Sequence, residues 1–574
     1  VAYSKFWNIK YQMAAIPQAT LPKVRAFGIH RIPQKYGATF GVMATLNRLP
    51  NGALALLTPL LLCLAWPGTL GYHEFPVLAP LLWVSMVPML VLESRMREGK
   101  LRHFAGWALG SMALFTLATT WWVAGAHWSG VLGAVLINGT LMAGVWTLYS
   151  YAARQVGVRT ALWIWVTGWL AIEILHDDWA FSFPWLNLGN AFAEVPHWVR
   201  WYAWTGPRGG SLWMLIANVV VWQLADGGTR RLRRVLLATV LGPVALSYAV
   251  GAWLDAQKPS GSLRALVVQP NVDPYTEKFQ TPDLQQARYW AAQAASVADS
   301  APGLLVLPET FLHEGLDENY ASNWPSLLAF EPLLRENWAV VLGATTYRLH
   351  GEEPGNPAAR RIDDRRYVSY ANAAVFARAG LPLQIYRKSK LVVGVESMPM
   401  ASTLNAVLGD LTLSLGGTSG TLATQTERSV FEAGPDLPRI GAPICWEQDF
   451  GPYAAEFSNA GAEVLTIITN DGWWGNTPGH VAHLHYARLR AVEQNRAVLR
   501  SANTGISAVI GPDGQVQQSL GWDQQGMLRA TVPTFSEPTF FVRHGDIIGQ
   551  WGLFVFGFLV LSLVVRRLRG LKAV

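Results

Sequence analysis

The chain has 574 residues, of which 51% are hydrophobic and only 14% charged, with a mean hydropathy of +0.20. That composition is too apolar for an ordinary soluble protein of this length. The formal net charge of +7 comes from arginine clusters flanking apolar stretches, so it speaks to topology and not to nucleic-acid binding.

In chain order, residues 1–42 begin with Val and lack an apolar period, whereas Met43-Ala44-Thr45-Leu46-Asn47-Arg48 directly precedes the first apolar stretch and is a natural start. Residues 1–42 therefore read as an N-terminal extension outside the fold. A membrane span needs roughly 20 mostly apolar residues. Eight candidates follow, at 53–70, 75–93, 104–126, 129–152, 158–176, 209–226, 235–253 and 547–565. Any one alone reads equally well as a buried core helix; seven crowded before residue 255 do not. The 27 Trp residues fit belts at the boundary between water and lipid. Basic residues near span ends set orientation. Arg95, Arg97, Lys100 and Arg102, then Arg154 and Arg159, then Arg230, Arg231, Arg233 and Arg234, and finally Arg566, Arg567, Arg569 and Lys572 all fall on one side if the spans alternate. That side is the cytoplasm, which places the segment between the last two spans outside, in the periplasm of a bacterial inner membrane. The expected division is a seven-helix membrane domain over 43–255, a globular domain over 256–545, and a last span with a basic tail over 546–574.

The globular segment opens with the apolar run Leu263–Gln269 and continues with helix-compatible sequence from Pro282 to Ser300. A strand at Gly303–Leu307, a helix near 325–337 and a strand at Ala339–Thr346 come next. Asn372–Ala377 with Leu383–Tyr386 read as a hairpin. Arg439–Ile444, Glu463–Thr469 and Ala508–Ile510 read as strands, with a helix at about 479–495. Alternating strands and helices with apolar strands predict a layered α/β domain.

Chemistry concentrates at the strand ends. The two cysteines, Cys63 inside the first span and Cys445 in the globular segment, are not placed to pair. Cys63 reads as a small hydrophobe. A lone thiol in an oxidising compartment is a liability unless it has chemistry to do, and Cys445 stands in Ile444-Cys445-Trp446-Glu447 at the end of a strand. Glu309 follows another strand in Leu307-Pro308-Glu309-Thr310, and Lys388 follows a third in Tyr386-Arg387-Lys388-Ser389-Lys390. A cation favours the nucleophilic thiolate, so Lys388 is expected to activate Cys445 and later to stabilise an oxyanion, helped by the backbone N–H of Trp446. Glu309 is expected to take the thiol proton and return it to the leaving group. The plain alternative for Glu309 and Lys388 is an exposed ion pair. Glu396 and Glu447 read equally as groups that orient Lys388 and as structural acceptors. Asn470, in the turn Asn470-Asp471-Gly472-Trp473-Trp474-Gly475, belongs to the wall of the site with no chemistry assigned. His480, His483 and His485 do not share one helix face and read as wall or surface residues, so neither a metal nor another cofactor is expected.

On these motifs the chain resembles the apolipoprotein N-acyltransferases, the integral membrane branch of the nitrilase superfamily. The resemblance runs from about residue 53 to the C-terminus. It includes Phe183-Pro184-Trp185-Leu186-Asn187-Leu188-Gly189 in the membrane part and the strand-end motifs above. It closes with Arg500-Ser501-Ala502-Asn503-Thr504-Gly505-Ile506-Ser507-Ala508. It implies about eight transmembrane helices plus a nitrilase-like α-β-β-α sandwich. It implies Glu309 as general base, Lys388 as charge stabiliser and Cys445 as nucleophile, with Glu396 matching a further essential glutamate and Glu447 that of a Cys-Tyr-Glu motif. The implied reaction takes an acyl group from a phospholipid onto the thiol and then onto the α-amine of a diacylglyceryl-modified apolipoprotein. No cofactor is implied, and one chain holds every part, which points to a monomer. Trp446 stands where many members have Tyr, Val393-Gly394-Val395-Glu396 replaces Pro-Phe-Gly-Glu, and Lys390 replaces His. The stretch 398–435 reads as a long arm; Val392–Val395 and Ala406–Leu415 are candidates to dip into the membrane interface and Met398 and Met400 to line an acyl path, with ordinary core packing an equal alternative for all of them. Three other classes compete: a membrane-anchored carbon–nitrogen hydrolase with the same triad, a catalytically dead receptor, and a transporter. The intact triad argues against the second. The scarcity of charges within spans, Glu173 near one end being the main one, argues against the third; Glu173 reads as an anchor for the loop that follows it.

Overall fold

The structure, a computed structural model, describes residues 45–71, 76–225, 229–278, 280–356, 358–397 and 421–569. The extension 1–42 and positions 398–420 of the expected arm, including Met398, Met400 and Ala406–Leu415, lie outside the described residues.

Long apolar runs without water to satisfy their backbones form helices. Six are long and apolar enough to cross a membrane: Pro76–Arg97, whose α-helical part is Val87–Arg97 (α2); Phe104–Gly125, with Phe104–Thr120 as α3; Trp128–Val156 (α4); Val158–Leu175 (α5); Arg230–Asp255 (α7); and Ile547–Leu568 (α11). The expected count of eight is thus six by length and hydropathy among the described residues. Asn51–Leu64 (α1) has only 14 residues, because Pro67 and Gly68 follow closely and cannot continue the helix. Pro207–Ala225 (α6) is apolar at its end but starts with Arg208, Gly209, Gly210 and Ser211, and it carries Asn218. That asparagine repairs a break in the neighbouring span: its Oδ1 accepts from Met86 N at 2.8 Å and its Nδ2 donates to Leu82 O at 2.7 Å.

The remaining chain forms two packed sheets. The strands are Gly261–Gln269 (β1), Gly303–Val306 (β2), Leu312–Asp317 (β3), Trp338–His350 (β4), Arg360–Asp363 (β5), Arg366–Arg378 (β6), Gln384–Arg387 (β7), Ile440–Gly441 (β8), Val464–Thr469 (β9), Val498–Ala502 (β10), Ser507–Ile510 (β11), Val516–Leu520 (β12) and Gly526–Thr534 (β13). The first sheet runs β13-β1-β2-β4-β6-β5, with β3 on β4 and β7 on β6; the second runs β12-β11-β10-β9-β8. Asp283–Val297 (α8), Gly451–Asn459 (α9) and Pro478–Gln494 (α10) complete the layers.

The period-2 alternation of strands builds the sandwich directly. Leu263, Ala265 and Val267 of β1 join a core that includes residues of both sheets, while Leu266 and Val268 face Ala287, Trp290 and Ala294 of α8. β4 repeats the division, with Ala339 and Val341 on one side and Val340 and Leu342 on the other. Every residue of α10 after its first, Pro478, is buried, as expected of a helix covered on all sides. The hairpin over 372–386 is present as the antiparallel pair β6–β7. The helix expected near 325–337 is instead two short turns, Pro325–Leu328 and Glu331–Arg335; Pro325 and Pro332 each start a turn and the second cannot sit inside a continuous helix. Strand β10 hides behind the end of α10 in an Arg- and Ser-containing run, and edge strand β13 contains Pro533, which only an edge tolerates. Neither stands among the strands expected from the sequence.

Candidate active site

Glu309 lies just past β2, Lys388 past β7, Cys445 past β8 and Asn470 past β9, so the sheet ends bring all four to one place. Gly343 of β4 makes room for the first turn: a Cβ there would press into Thr310 N and Glu309 Cα. Cys445 has φ 49°, the left-handed region that costs a non-glycine residue energy and is held only by its surroundings. It opens the 3₁₀ turn Cys445–Asp449, a sharp elbow out of the strand.

Glu309 and Lys388 form an ion pair that is buried, not exposed: they are 5% and 1% accessible, and Lys388 Nζ lies 2.9 Å from Glu309 Oε1. The same ammonium is 3.0 Å from Glu396 Oε1. Asn372 ties the two carboxylates together, its Nδ2 donating to Glu309 Oε1 at 2.7 Å and to Glu396 Oε1 at 3.0 Å. The remaining Glu309 oxygen accepts from Asn470 N at 3.1 Å. Burial pushes Glu309 upward, but the Lys388 charge and the hydrogen bonds from Lys388 and Asn372 outweigh it and hold the carboxyl below its ordinary value. Burial also works against charge on Lys388, and the carboxylates of Glu309 and Glu396 overcome it, holding the ammonium well above its usual range. Cys445 behaves differently from the sequence expectation. Burial and the Glu309 charge raise its thiol well above the ordinary value, and the lowering effect of Lys388 does not reverse this. The resting group is therefore a thiol beside an ionised carboxylate, an arrangement in which proton removal must accompany attack.

The two open glutamates separate cleanly. Glu396 touches Lys388. Glu447 instead gathers donors: Ser389 N at 2.7 Å, Ile444 N at 2.9 Å, Lys390 N at 3.3 Å, and the hydroxyls of Tyr386 and Tyr453 at 2.7 Å each. It thereby fastens the Cys445 elbow to the loop that carries Lys388. Trp446 stacks on Trp185 (centroids 6.1 Å apart, interplanar angle 11°) and packs against Phe183, so the Phe-Pro-Trp segment of the membrane part buttresses the elbow. Glu173 accepts from Leu188 N at 2.8 Å and anchors that segment, as expected.

A second buried polar group lies behind Asn470. Asp471 accepts from Thr469 Oγ1 at 2.8 Å and Arg500 Nη2 at 2.8 Å, and its Oδ1 lies 2.9 Å from His483 Nδ1. These bonds fix the turn whose backbone holds Glu309. His480, His483 and His485 are buried, so none is a surface residue. Asp449, beside His483 Nε2 at 3.8 Å, is pushed up to about 7 by burial, against the charges of His483 and Arg490. Asp283, His313 and Glu314 bring ligand atoms within 4.8 Å of one another, but Asp283 already accepts from His313 N at 3.0 Å and Glu314 N at 2.9 Å, which ties α8 to β3.

A cavity of about 850 Å³ opens from this centre. Its inner end carries Glu309, Lys388, Cys445, Asn470 and Glu396; its outer wall is Val392–Val395 together with Gly130, Gly133, Ala134 and Ile137 of α4. A pocket that begins at charged strand ends and finishes along a membrane helix suits a molecule with a reactive polar end and an apolar tail. Sequence reasoning missed Asn372 and Lys278, which also line it. Asn372 is a lone amide in the apolar run Asn372–Ala377, a usable signal; nothing around Lys278 marks it in the sequence.

Sequence profiles match two stretches, Apolipoprotein N-acyltransferase N-terminal domain over residues 58–220 and Carbon-nitrogen hydrolase over 265–535. Curated relatives named apolipoprotein N-acyltransferase include proteins from Chlorobaculum tepidum (30% identity, covering 92% of this chain and 99% of the relative) and Azotobacter vinelandii (27%, 88% and 96%). One from Bordetella bronchiseptica is 28% identical over 80% of this chain and 87% of the relative. Among solved structures, a Nesterenkonia amidase of the nitrilase superfamily matches at 17% identity, covering 51% of this chain and 98% of the amidase, with a TM-score of 0.33.

Proposed function

The chain belongs to the apolipoprotein N-acyltransferase family, and from that premise we propose that it transfers a fatty acyl group from a phospholipid to the N-terminal α-amine of a diacylglyceryl-cysteine lipoprotein through a thioester on Cys445. In the first step the Cys445 sulfur attacks the ester carbonyl while Glu309 takes the thiol proton. Lys388 and the backbone N–H of Trp446 receive the negative charge that develops on the carbonyl oxygen. The C–O bond to glycerol breaks, Glu309 returns the proton to that oxygen, and a lysophospholipid leaves. In the second step the lipoprotein amine attacks the thioester, Glu309 takes a proton from the nitrogen, and the thiol departs reprotonated. One thiol serving two lipid-bearing substrates in turn implies ping-pong kinetics. Glu396 and Asn372 hold Lys388 and Glu309 in register, and Glu447 holds the elbow.

The observation that carries this reading is the cavity joining Cys445 to the flank of α4, which lets a donor keep its acyl chains at membrane depth while its ester reaches the thiol. The basic span ends favour a multi-pass protein of the bacterial inner membrane with the 256–545 domain in the periplasm, where both substrates reside, and one chain suffices. Intact-protein mass spectrometry after incubation with phospholipid tests the reading. A fatty-acyl adduct on the wild type, absent from Cys445→Ala and discharged by a diacylated lipopeptide, is expected. Absence of the adduct, with Cys445-dependent hydrolysis of small amides, would replace it with a membrane-bound amidase.

A further inference from the structure

Lys278 is a second lysine in the cavity, on the loop between β1 and α8, and its side chain is 5% accessible. Its position differs from that of Lys388 in one respect. Lys388 is saturated by two carboxylates. Among the described residues the Lys278 ammonium makes a single hydrogen bond, to the Thr310 hydroxyl, and no ion pair, and its other neighbour is the Trp473 ring, 6.0 Å from Nζ to centroid. A buried cation without an anionic partner is costly unless something completes it. Burial lowers Lys278 to about 8, with the charges of Glu309 and Asp283 opposing, which is the response of a site short of negative charge.

The height of Lys278 in the molecule limits what can complete it. Tyr275 of the same loop donates its hydroxyl to Gly125 O at 3.2 Å and to Trp473 O at 2.9 Å. Gly125 closes the span begun by α3, and the exposed Trp121 and Trp128 flank it, as aromatic side chains do at the boundary between lipid and water. The loop therefore sits at headgroup level, and the ammonium faces the cavity from there. A phospholipid seated with its ester at Cys445 carries its only obligatory anion, the phosphodiester, a few bonds from that ester. The acceptor's α-ammonium is repelled at the same place.

We propose that Lys278, with the Thr310 hydroxyl beside it, is the subsite that recognises the phosphodiester of the acyl donor. This rests on the acyl-transfer reading above. Lys278 is a binding residue: it fixes the donor by its phosphate so that the ester, and not the apolar tail alone, determines position over the thiol. The recognised chemistry is a phosphate monoanion, which a lipid headgroup and free inorganic phosphate both possess; the lipid is the occupant assigned.

The test measures acylation of Cys445 by three donors in detergent or nanodisc: a phospholipid, the same lipid with its phosphate methylated to a neutral triester, and a diacylglycerol. In the wild type the triester should raise KM about tenfold or more, the value of one charge-assisted hydrogen bond to a buried cation, with a smaller change in kcat. In Lys278→Gln that preference should collapse, the phospholipid losing at least tenfold more than the diacylglycerol, and Lys278→Arg should recover part of it. The triester comparison uses unaltered protein, so a variant that folds poorly leaves the proposal exposed to refutation. Equal losses with all three donors in Lys278→Gln, alongside no wild-type preference for the diester, would overturn it and assign Lys278 to support of Glu309. Inhibition by inorganic phosphate that depends on Lys278 and is the same against every donor would overturn the lipid assignment in favour of a free anion. Failure of the acyl-transfer reading itself looks different, since no donor then yields an adduct.

Discussion

Glu396 reaches back eight residues along the chain to set its carboxylate 3.0 Å from the ammonium of Lys388. Lys388 is thus held by both Glu309 and Glu396, and Asn372 bridges the two carboxylates. Its ammonium has one orientation, which is the condition for stabilising charge that appears only during reaction.

Glu396→Gln keeps the shape but removes the second anion. Acyl-enzyme formation should slow by about 10- to 100-fold, as for loss of one positioned charge contact, with KM for the donor little changed. Single-turnover adduct formation followed by mass spectrometry measures it; a rate within twofold of wild type would make Glu396 a bystander.

Glu447→Gln should act on folding before chemistry. Its carboxylate takes donors from Ser389, Lys390, Ile444, Tyr386 and Tyr453, and an amide brings two N–H groups that meet donors in a buried place. A loss on the order of 2–4 kcal/mol follows from unsatisfied buried groups. Thermal unfolding in detergent checks this, and Tyr453→Phe, which removes one donor only, should cost less.

The pH profile follows from the direction of the Glu309 shift. A carboxyl held below its ordinary value of about 4.3 remains an ionised base as the medium is acidified through that value, and loses its proton-accepting form only at the lower pKa of the folded protein. The acid limb of kcat/KM for acylation should therefore lie below pH 4.3, or be cut off by unfolding first. In Asn372→Ala, which deletes a hydrogen bond to the ionised form, the limb should move up.

Asp449 runs the opposite way. Its carboxyl is raised to about 7 in the fold and is near 3.9 when unfolded, so the folded protein binds the extra proton. Stability from this group is full below about pH 4, falls as pH rises, and is lost above about pH 7. Asp449→Asn should raise the unfolding midpoint at pH 8 and change it little at pH 5, an effect on the order of 2 kcal/mol for a charge buried without a hydrogen bond. Paired melts at the two pH values test it.

Gly133 faces open space: a Cβ there has no neighbour within 4 Å, and the residue lines the cavity. Gly133→Leu should fold normally and shorten the apolar end, shifting donor preference to shorter acyl chains. Competition between phospholipids of different chain length, read as adduct masses, decides it; unchanged preference would place the acyl chain elsewhere.

The sequence by itself determined the apolar spans, their orientation signals, the layered α/β domain and the ends at which Glu309, Lys388 and Cys445 sit. Those features are local: hydrophobic period, flanking charge and a polar residue after an apolar strand are all read within a few positions. Tertiary structure alone decided which partners these residues meet. Glu396 and Glu447 have the same chemistry and similar settings in the chain, yet one is ion-paired to Lys388 and the other collects five donors. That difference arises because β7, β8 and the 389–397 loop converge only when the sheets stack. Lys278 carried no signal, since its importance lies in burial without an anion, a property of the assembled cavity. The span count fell short for a reason of the same kind. Polar residues in α6 are tolerable because they bond to a neighbouring helix, as Asn218 does with Met86 N and Leu82 O, and the turn after α1 is held because Gly68 N donates to Glu194. The thiol's resting state was also beyond reach of the sequence, because the balance between desolvation and charge depends on how deeply Cys445 is buried.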